Sequence, residues 1–236
     1  MTSFGRPHRN LSLTDSTNAR ARELAEAGAP GGLVVTADEQ SAGRGRQGRS
    51  WFAPPGTALL YSALLRPLGD RPLLPILVPV AVAEAAESLA DVECAVKWPN
   101  DVWVEGRKLA GVLVEGRPGE GEDGWAVIGV GLNVAVPSDA FPKELRQTAI
   151  SLGEEILVED ALAALNASLS RWVDAGADSI LAGFRDRDAL RGQRISWESG
   201  SGTAAGIDDA GHLLVEAESG ETLALGAGEV HLAVEG

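Results

Sequence analysis

The sequence predicts an α+β fold in two parts. Helices and strands interleave up to about Leu190, and a run of about five short strands follows. Three observations carry this. Apolar runs of strand length are separated by turn signals between Leu33 and Val136. Three segments have helical spacing or a continuous apolar helix-length run. After Arg191 the pattern changes to short strands punctuated by Glu-Ser-Gly-Ser-Gly, Asp-Asp-Ala-Gly, Glu-Ser-Gly-Glu and Gly-Ala-Gly-Glu, the rhythm of a small barrel.

Taken in order, Ser16 and Thr17 are good N-cap residues, and the helical run behind them ends at Gly28, a C′ glycine. Leu33–Ala37 and Ala58–Leu65 read as buried strands. Leu73–Ala90 reads as a buried helix with Pro75 in its first turn and Pro79 as a kink. Four strands follow, Cys94–Trp98, Asp101–Val104, Lys108–Glu115 and Ala126–Val136. The last two pair as a hairpin around an acidic Gly/Glu turn. Val158–Ala175 is amphipathic through Leu162, Leu165, Leu169, Trp172 and Val173, and a shorter helix spans Asp178–Arg187. The domain boundary falls near Leu190, giving units 1–190 and 191–236.

Composition excludes several classes. The 20 basic and 34 acidic residues give a net charge of −14, the wrong field for general nucleic-acid binding. A single cysteine, Cys94, excludes an internal disulfide framework and a cysteine-cluster metal site. No apolar run follows the basic N-terminus, so no secretory signal is expected; Pro79, Glu84 and Glu87 interrupt the long apolar stretch, so no membrane span is expected. A cytoplasmic protein follows. His8, His212 and His231 lie outside the motif segments, which argues against a Ser-His-Asp or zinc hydrolase, and no protein metal site is predicted. Charge is uneven: Ser41–Arg66 holds four arginines and no acid, and Ile195–Gly236 holds eight acids and no Lys or Arg. An anionic ligand belongs on the basic island. Only three of the 20 cations are lysines, Lys97, Lys108 and Lys143.

Five segments carry chemistry. Gly43-Arg44-Gly45-Arg46-Gln47-Gly48-Arg49-Ser50-Trp51 combines glycines that let N–H groups converge on an anion, arginine forks and a flat aromatic; a flexible loop or an RGG-type segment are the alternatives. Lys97-Trp98-Pro99-Asn100-Asp101 sets a lysine at a strand end and an acid just past a turn; a buried Trp beside an ordinary turn explains the aromatic but not the lysine. In Lys108–Glu115, Leu109, Gly111 and Leu113 share a face by period two and leave a shallow apolar slot, or a close crossing in a core strand. Gly129, Gly131 and Asn133 likewise clear space beside a neutral amide, or allow close helix packing. Asp15-Ser16-Thr17-Asn18 is a helix cap whose free N–H and hydroxyl groups can also serve a ligand.

These segments, in this order, resemble biotin protein ligases from about Leu11 onwards. The Gly-Arg-Gly-Arg-x-Gly-Arg-x-Trp and Lys-Trp-Pro-Asn-Asp runs are the specific ones. Lys-Leu-Ala-Gly-x-Leu-x-Glu and Gly-x-Gly-x-Asn-Val support them. The resemblance implies a mixed sheet flanked by helices, of the class II aminoacyl-tRNA synthetase-like kind, followed by an SH3-like barrel. It also implies a monofunctional ligase without the N-terminal DNA-binding domain that many bacterial members carry, and hence no DNA partner. The implied reaction activates biotin with ATP and Mg²⁺ to biotinyl-5′-AMP. The biotinyl group then passes to a lysine of a biotin carboxyl carrier protein of an acetyl-CoA or propionyl-CoA carboxylase.

By match to the family, Ser16, Thr17, Asn18 and Gln40 meet the biotin ring. Gly111, Leu113 and Gly129 wall it. Arg44, Gly45 and Arg46 close over biotin and adenylate. Lys108 sits by the carboxylate and phosphate. Arg49, Trp51, Lys97, Asn100 and Asn133 serve the nucleotide, with Trp51 on or near adenine and Mg²⁺ held mainly through the phosphates. Lys97, Arg44 and Lys108 are the implied catalytic cations, and Asp101 orients or deprotonates the acceptor amine. The competing readings are a lipoate-type ligase of the same fold and a non-catalytic biotin or adenylate sensor. Monomer and homodimer are both compatible with the family.

Overall fold

A computed structural model describes residues 2–226, 228 and 230–232. The elements in chain order are β1 (His8–Leu11), α1 (Thr17–Glu26), β2 (Val34–Ala37), β3 (Ala58–Leu65), α2 (Leu74–Glu87), β4 (Cys94–Lys97), β5 (Asp101–Val104), β6 (Arg107–Arg117), β7 (Trp125–Asn133), α3 (Val158–Trp172) and α4 (Ala177–Arg185). The terminal unit adds β8 (Arg194–Trp197), β9 (Gly200–Ile207), β10 (Leu213–Ala217), β11 (Thr222–Leu225) and β12 (His231–Leu232).

The seven strands β1–β7 form one sheet in the order β1-β2-β3-β7-β6-β5-β4. Only β1 and β2 run parallel, and every other neighbouring pair is antiparallel, so the sheet is mixed. Alternation sorts its side chains. Leu59, Tyr61, Ala63 and Leu65 of β3 and Ala126, Ile128, Val130 and Leu132 of β7 enter the main core, to which α2, α3 and α4 contribute. On the opposite face Leu64, Trp125 and Val127 join a smaller core with Ala21 and Ala25 of α1. The sheet is thus covered by helices on both sides, as predicted.

Pro75 lies in the first turn of α2 and Pro79 inside it. Gly28, at φ 83°, follows α1 as the C′ residue. Ser16 holds the N-cap position without a side-chain cap; the Thr17 N–H goes to Gln40 Oε1 instead, at 2.7 Å. Strand β1 escaped prediction because His8-Arg9-Asn10-Leu11 has no apolar alternation and is mostly exposed.

The terminal strands form an antiparallel sheet in the order β11-β10-β9-β8-β12. Its inward residues Ile195, Ala204, Ile207, Leu213 and Val215, with Val230 just before β12, belong to the same core as the large sheet. Trp98, 2 % exposed, donates its Nε1–H to Gly211 O at 3.0 Å across that junction. No helix of the described residues is long and apolar enough to cross a membrane.

Candidate active site

The α1 face of the large sheet carries the functional side chains. Here β3 presents Ser62, β6 presents Gly111, Leu113 and Glu115, and β7 presents Gly129 and Gly131, opposite the N-terminus of α1. A cavity there is lined by Ser16, Thr17, Asn18, Gln40, Arg44, Gly45, Arg46, Arg49, Trp51, Lys97, Asn100, Asp101, Lys108, Gly111, Leu113 and Gly129. Those are all the sequence-predicted site residues but one. Asn133 is 4 % exposed and lies outside the cavity lining; its Nδ2 donates to Ile150 O at 3.0 Å.

Lys108 reaches this face by an irregularity. The β5–β6 register shifts between Val102 and Trp103, so Asp101 pairs with Gly111 but Trp103 pairs with Lys108. Strict alternation sets Lys108 with Ala110 on the face packed against α2, α3 and α4. The bulge reverses it. The expected slot of Leu109, Gly111 and Leu113 is corrected accordingly: Leu109 is fully buried in the main core, and Lys108 takes its place. There Lys108 Nζ pairs with Asp101 Oδ1 at 2.7 Å and lies 5.7 Å from the centre of the Trp51 ring. Lys97, paired in register with Asp101, extends over the Trp103 ring at 5.2 Å. Asn100 is held by Val112, donating Nδ2–H to its carbonyl at 2.7 Å and accepting its N–H at 3.0 Å.

The Arg/Gly segment is a compact hairpin rather than an irregular loop. Arg44 bridges Ser50, Gly45 N–H donates to Arg49 O at 2.7 Å, and Trp51 N–H donates to Gly43 O at 3.0 Å. A Cβ on Gly43 would stand 2.7 Å from Trp51 O, so the two arms cross closer than any side chain allows. At the tip Gln47 and Gly48 have φ of 54° and 75°. The hairpin lays the Trp51 indole on the glycine floor: a Cβ on Gly131 would lie 2.4 Å from the ring and one on Gly111 3.0 Å. Arg46 reaches the terminal unit and donates to Gly228 O at 3.4 Å.

At the other end the wall is neutral. Gln40 Oε1 accepts the Thr17 N–H at 2.7 Å and lies 3.1 Å from the Thr17 hydroxyl. Gly129 leaves room for Asn18, whose Oδ1 would be 2.1 Å from a Cβ there. Asp15 stands outside, where the Ser16 N–H holds its carboxyl below the usual range. The arrangement therefore pairs an uncharged polar pocket with a cluster of cations under an arginine hairpin. That suits a ligand with a neutral polar head and an anionic tail.

Sequence reasoning missed Ser62, Gly228 and Val230. A lone serine in the apolar run Ala58–Leu65 was a usable signal for Ser62. Gly228 and Val230 come from the far end of the chain and left none.

Comparison with known proteins defines the class. Residues 11–133 match the biotin/lipoate A/B protein ligase family and residues 192–232 the biotin protein ligase C-terminal domain. The chain belongs to the biotin/lipoate A/B protein ligase family. Among its relatives, a biotin–[acetyl-CoA-carboxylase] ligase of Paracoccus denitrificans is 36 % identical over 89 % of this chain and 94 % of that protein. The bifunctional ligase/repressor BirA of Bacillus spizizenii is 36 % identical over 88 % and 69 %. The solved biotin protein ligase of Aquifex aeolicus in complex with biotin and ATP has a similar fold. Its TM-score is 0.77 at 24 % identity, over 96 % of this chain and 99 % of that one.

Proposed function

We propose that this protein is an ATP-dependent ligase that activates biotin as biotinyl-5′-AMP and transfers it to one lysine of a biotin carboxyl carrier protein or domain. In the first step a biotin carboxylate oxygen bonds to the α-phosphorus of ATP as the bond to pyrophosphate breaks. In the second the acceptor amine bonds to the acyl carbon, the C–O bond to phosphate breaks, AMP leaves, and the amine gives up a proton.

The observation that carries this reading is the Lys108–Asp101 pair, 2.7 Å apart at the floor of a cavity whose other end is the neutral wall of Thr17, Asn18 and Gln40. Negative charge grows on phosphoryl oxygens in the first step, and fixed cations there lower the barrier. Lys97, Lys108 and Arg44 supply them. Ser16, Thr17, Asn18 and Gln40 take the ureido ring, with Gly111, Leu113 and Gly129 beside it. Trp51 offers a ring face to adenine, with Arg46, Arg49 and Asn100 on the nucleotide. Asn133 acts behind this wall rather than on the ligand. Asp101, already beside an ammonium, is placed to receive the acceptor amine and its proton. Mg²⁺ comes with the nucleotide phosphates. Arg44, Gly45 and Arg46 close over the adenylate and exclude water from the anhydride.

The test is incubation with biotin, Mg-ATP and the carrier domain of an acetyl-CoA or propionyl-CoA carboxylase, followed by intact mass. A gain of one biotinyl group, dependent on ATP, is expected. A gain only with lipoate would assign the lipoate-type reading, and ATP consumption with no protein product would assign the sensor.

A further inference from the structure

Asn18 is 5 % exposed and Ser62 fully buried, and together they end a chain of hydrogen bonds that starts on a carboxylate. Asn18 Nδ2 donates to Glu115 Oε2 at 2.9 Å and to Leu113 O at 3.3 Å. Both are pure acceptors, so the amide orientation is unambiguous: a flipped Asn18 would face its oxygen to a carboxylate and a carbonyl. Its Oδ1 then points at Ser62 Oγ, 2.6 Å away, and Ser62 Oγ lies 2.8 Å from Thr17 Oγ. A hydroxyl has one hydrogen. Asn18 Oδ1 can only accept, so the Ser62 hydrogen goes there, and the Thr17 hydroxyl donates to Gln40 Oε1, 3.1 Å away, or to Ser62 Oγ, receiving a hydrogen from neither. Thr17 Oγ, at the cavity wall, is left with both lone pairs free to accept. If Asn18 turned over, its amide would donate to Ser62 and the Ser62 hydrogen would pass to Thr17 Oγ, consuming one lone pair there and leaving Gln40 Oε1 as the sole acceptor for the Thr17 hydrogen.

We infer that Glu115 is a positioning residue that fixes the donor–acceptor sense of this wall and so its selectivity for the N–H side of a cyclic urea. The inference rests on the proposed biotin activity and deepens it. Glu115 touches no reacting atom; it acts through Asn18, Ser62 and Thr17.

The experiment is calorimetric titration of the intact protein with biotin and, separately, with ATP. The set is wild type, Glu115→Gln, Asn18→Asp and the double variant. Glu115→Gln permits either amide orientation and should weaken biotin about tenfold, the size of one charge-assisted hydrogen bond. ATP affinity should stay within about twofold, which a general loss of structure would not allow. Asn18→Asp opposes two carboxylates and should lose more. In the double variant the amide introduced at position 115 donates to the carboxylate introduced at position 18. That restores the acceptor toward Ser62, and biotin should regain at least about tenfold over Asn18→Asp. Biotin bound by Glu115→Gln within about twofold of wild type, an equal loss for ATP, or a double variant no better than Asn18→Asp would each overturn the inference. Wild type that binds no biotin would instead overturn the proposed activity beneath it.

Discussion

At the scale of single residues, the site depends on where each cation is tethered. Lys108 is fixed by Asp101 and Lys97 lies against Trp103, whereas Arg46 reaches across to a backbone carbonyl of the terminal unit. A side chain spanning two parts of the molecule is suited to hold a closed state. Arg46→Gly should therefore let the adenylate escape. Incubated with biotin, Mg-ATP and a lysine-rich bystander protein, this variant should label the bystander about tenfold more than wild type, as expected if closure loses roughly 1.4 kcal/mol. Equal labelling would remove Arg46 from the lid. Cys94 shows the opposite case: burial pushes its thiol up to about 12, and it packs in the core as an inert small hydrophobe.

At the scale of elements, β6 and β7 are built around missing side chains. Gly129 makes room for Asn18 and Gly131 for Trp51, two residues apart on one face. A methyl group at either position forces its own neighbour aside, at a cost of about 1–3 kcal/mol. Gly129→Ala should raise the KM for biotin and Gly131→Ala the KM for ATP, each by about tenfold, with the other substrate little changed. Steady-state kinetics on both variants checks this, and a reversed pattern would exchange the two ends of the cavity. The same strands show what was legible in advance. Ala58–Leu65 was readable to the residue because eight buried positions in an apolar run admit few alternatives. The alternating glycines of β7 were readable because period two is strict in a regular strand. The face of Lys108 was not, since a bulge leaves no mark in the hydrophobic pattern and shifts every side chain before it. Nor was β1, whose exposed polar residues join the sheet through backbone bonds and polar side-chain contacts such as Asn10 with Thr36, which leave no hydrophobic pattern.

For the whole molecule, the seam between the two units is the sensitive region. The segment after α4 closes the β4 edge: Val96 N–H donates to Arg187 O at 2.6 Å and Ala189 N–H to Val96 O at 3.0 Å. Asp188 lies between them. Burial raises its pKa above the usual range, although the Leu190 and Arg191 N–H groups oppose that, and its Oδ2 is buried without a partner among the described residues. A carboxyl with a raised folded pKa weakens the fold when ionised, so the penalty is complete above that pKa and fades as pH falls toward the unfolded value near 3.8. Asp188→Asn should therefore melt higher than wild type at pH 7, by about 2–4 °C for each kcal/mol relieved, and the gap should close on acidification. A gap independent of pH would exclude the charge as its cause. The continuous core has a bearing on chimaeras between relatives. A graft joined at Leu190 would bring a foreign loop against Leu73 and Ile76, which lie 3.4 and 3.0 Å from where a Cβ on Gly211 would stand, and against the Trp98 indole that Gly211 holds. The transplantable module is the terminal sheet together with the start of α2 and Trp98, a set of residues scattered along the chain that must be exchanged as one.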